Sequence, residues 1–147
     1  MRLIVYIILA AGLSFLAFAA ETKVKMQDLP AAVQNAVKEQ TKDATLVGLN
    51  KETENGQTVF EVETKVNGRT RDLLLDKTGA VIEVEEEVDL NSIPAAAKEA
   101  IQKKAAGAKI NKVETVTKGS TVSYEAAITK NGKKSEVAVN ADGSPHK

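Results

Sequence analysis

A single offset runs through this chain. Leu29-Pro30-Ala31-Ala32 returns as Ile93-Pro94-Ala95-Ala96, Asn67-Gly68 as Asn131-Gly132, and Gly79 as Gly143, each 64 positions later and without a gap. Glu61 pairs with Glu125, Ala36 with Ala100 and Ala44 with Ala108 at the same step. Apolar positions keep time as well: Val37 with Ile101, Leu46 with Ile110, Leu49 with Val113, Leu73 with Val137, Leu75 with Val139. Phe60 and Tyr124, the two aromatic residues outside the first twenty positions, obey it too. A helix start, hairpin turns and core positions that recur together predict one supersecondary unit used twice.

Each unit opens on a helix. Asp28 and Ser92 are N-cap residue types, and Pro30 and Pro94 fall in the first turn, where a missing N–H costs nothing. Leu29, Ala32, Val33, Ala36 and Val37 form an apolar stripe at helical spacing, and Ile93, Ala96, Ala97, Ala100 and Ile101 form its counterpart. Alanine dominates both stripes, so the helices should lie close against a sheet. From Ala44 the period becomes two, which predicts strands near 45–53, 57–66, 69–76 and 80–88, then near 109–117, 121–130 and 133–140. Asn55-Gly56, Asn67-Gly68 and Asn131-Gly132 are strong hairpin signals, because both turn residues take positive φ. The second unit has no counterpart of the 80–88 strand. The expected fold class is therefore α+β, with two tandem helix-plus-antiparallel-meander repeats, seven strands in all, a sheet continuous across the repeats and helices on one face.

Alternation assigns the faces. Phe60, Val62, Val66, Leu73, Leu75, Ile82 and Val84 should point to the first helix, and Tyr124, Ala126, Ile128, Val137 and Val139 to the second. Phe60 and Tyr124 are the expected structural anchors. The opposite, wet face carries Glu61, Glu63, Lys65, Asp72, Asp76, Glu83, Glu85 and Glu87, then Glu125, Thr129, Lys134, Glu136 and Asn140. The run Glu83-Val84-Glu85-Glu86-Glu87 has the pattern that keeps an apolar strand from pairing with other chains.

Residues 1–20 read as a secretory signal: Arg2, an apolar stretch from Leu3 to Leu16, and Ala17-Phe18-Ala19 before cleavage after Ala19 or Ala20. The alternative is an uncleaved anchor. This gives a leader over 1–20, a first unit over 21–90 and a second over 91–147, in a periplasmic or secreted protein. With no cysteine, an exported fold must hold without disulfides. Charge balances over the chain, which argues against nucleic acid as a partner, but the halves differ. Residues 21–90 hold 15 acidic against 9 basic residues and residues 91–147 hold 5 against 10. That polarity suits attraction between the halves, or head to tail between molecules.

A helix followed by a meander, with Leu-Pro-Ala-Ala-Val at the helix start, Phe60-Glu61-Val62-Glu63 in the second strand, Asn67-Gly68 and Leu75-Asp76-Lys77-Thr78-Gly79, resembles the PepSY-like family. Tyr124-Glu125-Ala126, Asn131-Gly132 and Val139-Asn140-Ala141-Asp142-Gly143 carry the likeness into the second half, so that it spans 26–147. That family includes a group named for its likeness to the β-lactamase inhibitor protein, and related modules restrain peptidases from within their propeptides. The resemblance implies an extracytoplasmic, non-catalytic module that binds or restrains a protein. Unlike the β-lactamase inhibitor, this chain has no Cys, and its open face is charged rather than aromatic.

Catalysis finds few parts. The only histidine is His146, at the extreme C-terminus, and no Ser or Cys has a base beside it in the pattern. No phosphate-cradling loop, cofactor motif or metal-ligand spacing stands out, and Glu83, Glu85 and Glu87 on one strand face suit weak cation binding at most. The expected function is non-catalytic protein binding: an inhibitor or chaperone of an envelope peptidase or other enzyme, through Glu61, Glu63, Asp72, Glu125 and Glu136. Two alternatives stay open, a self-associating envelope protein joined by complementary charge or an open sheet edge, and a weak Ca²⁺ or small-ligand sensor.

Overall fold

The hairpin turns set the architecture. Asn67 and Asn131 take φ of 52° and 51°, and Gly68 and Gly132 take 83° and 77°, so each Asn-Gly pair forms the left-handed two-residue turn that matches strand twist. The structure is a computed structural model that describes residues 22–54 and 56–146. The proposed leader lies outside the described residues, as does Asn55. In chain order the elements are β1 (Thr22–Lys23), a 3₁₀ turn (Met26–Asp28), α1 (Ala31–Gln40), β2 (Thr45–Glu54), β3 (Gln57–Val66), β4 (Arg69–Asp76) and β5 (Val81–Glu87). Then come α2 (Ala95–Lys104), β6 (Lys109–Lys118), β7 (Thr121–Lys130) and β8 (Lys133–Asn140).

All eight strands form one antiparallel sheet in strict sequence order. This corrects the expected architecture of two tandem helix-plus-meander repeats with seven strands. The fold is α+β, but β5 pairs with β4 through Asp72↔Glu85 and Leu73↔Val84, and with β6 through Val84↔Thr117 and Glu87↔Glu114. An interior strand bonded on both sides leaves no seam at which two meanders could be separated. The glutamates of β5, read from sequence as guarding an edge, lie in the middle of the sheet. The eighth strand, β1, pairs with Lys51 and Asn50 of β2 and is too short for any periodicity to announce it.

The helices cover two apolar clusters. Leu29, Val33 and Val37 meet Leu49, Phe60, Val62, Leu73 and Leu75, while Ile93, Ala97, Ile101 and Ala105 meet Val113, Ala126, Ile128, Val137 and Val139. Phe60 is 5% exposed, and Tyr124 packs half-buried against the second cluster. The helix starts differ from expectation. Pro30 and Pro94 themselves occupy the N-cap positions with no side-chain cap, Asp28 closes the 3₁₀ turn, and the Ser92 hydroxyl donates to the Asp89 carbonyl instead. A proline at the cap, with ψ near the extended value, sets the entry angle without a side-chain acceptor.

Both β2 and β6 carry a β-bulge, between Leu46 and Gly48 and between Ile110 and Lys112. The extra residue lets Leu46 and Leu49, three apart, register opposite Thr64 and Val62 on the helix-covered face. It also turns Asn50 and, in β6, Lys112 and Glu114 onto the opposite face.

Candidate functional site

The face away from the helices is built in rows by the strand register. One row runs Asn50–Glu61–Leu74–Glu83 across β2 to β5, and the next Gly48–Glu63–Asp72–Glu85–Val116–Ser123 across β2 to β7. A third runs Glu87–Glu114–Glu125–Ala138 across β5 to β8. Carboxylates thus neighbour one another both along and across strands. The face is less wet than alternation predicts: Leu74, between Glu61 and Glu83, and Val116, beside Glu85, are 6% and 7% exposed, and Glu114 is 9% exposed.

Local partners hold most of the charge. Asn50, 1% exposed, donates from Nδ2 to Glu61 Oε2 (2.9 Å) and to Glu63 Oε1 (2.7 Å), tying two of the proposed binding residues together. The position one offset later holds Glu114 in place of that amide, and there Lys112 Nζ supplies the opposite charge at 2.7 Å. Carboxylate oxygens of Asp72, Glu85 and Glu114 lie within 4.8 Å of one another. Glu83 is drawn away to Lys118 (2.8 Å), and Glu87 accepts from the backbone N–H of Thr70 (3.1 Å). The three glutamates of β5 therefore do not converge; Glu85 joins acids of the strands beside it.

The titration behaviour follows from this crowding. Burial, reinforced by Glu114, Glu125, Glu83 and Asp72, pushes the Glu85 carboxyl up to about 8. Burial together with Glu136, Glu83 and Glu114 lifts Glu125 to about 7. Asp72 is raised too, chiefly by burial, against the backbone N–H of Thr64 that holds its charged form. Burial opposes the charge on Lys112, but the Glu114, Asp72 and Glu85 carboxylates more than compensate and raise it. One of these three acids is already bound to Lys112, with which a cation such as Ca²⁺ would have to compete. Lys112 and Lys118 are the counter-charges bound to this surface.

Of the residues singled out from sequence, Glu61 and Glu63 meet at Asn50, Asp72 sits beside Glu85 and Glu114, and Glu125 lies one strand further on. Glu136 lies at the outer limit of the group, exposed on β8 opposite Ala127 and close enough to Glu125 to raise its pKa. Sequence reading passed over Asn50, Lys112 and Glu114. The signal was present: apolar positions three apart, Leu46 with Leu49 and Ile110 with Val113, share one face of a strand only if a bulge intervenes. The buried amide is testable. Asn50→Ala should lower stability by about 1–2 kcal/mol, read as the midpoint of urea unfolding, since two crowded carboxylates lose their shared donor.

No family model and no curated protein sequence matches the chain. Solved structures do share its fold. A Bacteroides eggerthii protein named as periplasmic superposes with a TM-score of 0.63 at 16% identity, over 81% of this chain and 86% of that one. A DUF2874 family protein from Bacteroides ovatus gives 0.60 at 16% identity over 81% and 85%, and a BLIP-like protein from Bacteroides fragilis gives 0.54 at 18% over 79% and 82%. The chain therefore has a BLIP-like fold. Among the described residues no helix is long and apolar enough to cross a membrane.

Proposed function

We propose that this is an exported, non-catalytic binding protein whose acidic sheet face captures a basic protein surface, the finer reading being restraint or chaperoning of an envelope peptidase or other enzyme. The observation that carries it is the crowding of Asp72, Glu85, Glu114 and Glu125 between β4 and β7, with Glu61 and Glu63 alongside and Lys112 and Lys118 as the cations bound there. Acids held this close, at raised pKa, are poised to gain from an arriving positive charge. The fold shared with a BLIP-like protein and with a protein named as periplasmic supports a binding role outside the cytoplasm, as do the signal-like residues 1–20 and the PepSY-like motifs. Glu61, Glu63, Asp72 and Glu125 would form the contact, with Glu136 at its rim.

The test is capture from an envelope extract on the chain lacking residues 1–20, beside a variant with Glu61, Glu63 and Glu125 changed to Gln and Asp72 to Asn. One stoichiometric prey, weakened by salt and lost with the variant, is the expected result. Prey that bind both proteins equally, or none at low salt, would overturn the assignment of this face.

A further inference from the structure

The outer edge of β8 has a charge pattern that fits itself. In the two-residue hairpin at Asn131-Gly132, Lys130 and Lys133 flank the turn and face each other. Such flanking residues exchange backbone bonds, so alternation aims the N–H and C=O of Lys134, Glu136, Ala138 and Asn140 away from β7. The C-terminal tail confirms that parity. Ser144 to His146 fold back along the far half of β8, where Ser144 accepts from the Asn140 N–H (2.8 Å), Pro145 bridges Val139, and His146 donates to the Ala138 carbonyl (3.3 Å). Among the described residues nothing covers the near half, and Lys133, Lys134, Ser135 and Glu136 are all exposed. The corresponding edge of β4 is filled by β5.

We propose that two copies of the chain pair antiparallel along this open half of β8, with Lys134 of each opposite Glu136 of the other and Ser135 on the two-fold axis. Backbone parity allows only registers in which outward-facing residues meet outward-facing residues. Centring on Lys134 sets lysine against lysine. Centring on Glu136 sets glutamate against glutamate and drives Lys134 toward the carbonyl of Ala138 that the tail already occupies. Centring on Ser135 gives four backbone hydrogen bonds and two opposite-charge cross-strand pairs, with Lys133 facing Val137 on the other side of the sheet. A second copy is thus the occupant this edge selects, because a strand of any other sequence would need the same lysine and glutamate spacing to match it. The strip is short, so the dimer is weak and reversible. This pairing uses the edge of β8 rather than the acidic face and shares with the contact proposed there only its rim residue, Glu136.

Sedimentation equilibrium on the chain lacking residues 1–20 should show concentration-dependent dimers. Glu136→Lys and Lys134→Glu should each weaken association by about tenfold or more, and the double exchange should restore it. Non-hydrogen-bonded antiparallel neighbours lie close enough for a disulfide, so Ser135→Cys in this cysteine-free chain should give a covalent dimer on mild oxidation. A Thr121→Cys control, remote from the edge, should not. A monomer at millimolar concentration that Ser135→Cys fails to cross-link would overturn the proposal. So would a dimer that the double exchange leaves as weak as either single variant.

Discussion

Gly143→Ala should cost about 3 kcal/mol, as should Gly79→Ala, while Gly119→Ala costs only about 1 kcal/mol. All three glycines have positive φ, of 81°, 84° and 60°, so the backbone penalty for an L side chain is common to the set. What differs is the space. A Cβ on Gly143 would lie 2.6 Å from the Ala96 carbonyl oxygen and 3.3 Å from Ala100 Cβ; one on Gly79 would lie 2.7 Å from the Ala32 oxygen and 3.3 Å from Ala36 Cβ. At Gly119 nothing lies within 4 Å. The obstructing atoms are helix backbone and cannot swing aside. The turns that bear these glycines are themselves fixed, Gly79 donating to the Asp76 carbonyl (3.0 Å) and Gly143 to that of Asn140 (2.9 Å). Relief therefore needs a whole helix to lift from the sheet. In urea unfolding the two tight positions should lose about three times as much stability as Gly119. Equal losses at all three would mean that the helices do not rest on these turns.

The same contacts explain how much of the fold was legible. Alanines at 32, 36, 96 and 100 and glycines at 79 and 143 share one 64-residue step, and each turn packs against its helix. The Asn-Gly turns placed β3, β4, β7 and β8 at 57–66, 69–76, 121–130 and 133–140, because turn chemistry is local. Strand pairing is not local. The sequence of β5, four glutamates in seven residues, describes a solvated edge, yet the strand is interior. Its charges are accommodated by Lys118 bound to Glu83, by Thr70 bound to Glu87 and by the raised pKa of Glu85. A repeated sequence thus specified repeated parts without specifying where the sheet could be divided. At the site, alternation alone found Glu61, Glu63, Asp72 and Glu125, since β3, β4 and β7 pair without a register shift there. It missed Asn50, Lys112 and Glu114, which follow bulges.

Those acids also connect the architecture to the proposed binding role. The charge that a partner would meet is held by residues of β3 to β7, so the surface exists only when the central strands are paired. Surface charge of this kind is usually relaxed by side-chain mobility, but half-burial between Leu74 and Val116 limits that escape here. The cost of holding the face together should therefore appear as a pH dependence of folding.

The expected result is that stability falls as pH rises, and that Glu85→Gln removes much of the fall. The Glu85 carboxyl is raised in the folded chain to about 8, above its unfolded value, so the folded state holds its proton more tightly. Its stabilising contribution is complete below the unfolded pKa and is lost as pH climbs through about 8. Glu125, raised to about 7, and Asp72, also raised, act in the same direction. Asp76 and Asp142 run the other way. The Thr78 and Ser144 side chains, with nearby backbone N–H groups, lower their pKa values, so what they contribute is lost only on acidification below the ordinary carboxylate range. The two windows do not overlap, and stability should peak between them, near about pH 4. Between about pH 5 and pH 9, Tm at low salt should drop by several degrees. Glu85→Gln, neutral and of the same shape, should raise stability by about 1–3 kcal/mol at the alkaline end and leave it nearly unchanged at the acidic end. Added salt should recover part of the loss, because Glu114, Glu125 and Asp72 act on Glu85 partly through solvent. A flat Tm across this range, with Glu85→Gln indistinguishable from the parent, would mean that the acids of β4 to β7 are not crowded as described, and the charge-based reading of the face would fall with it.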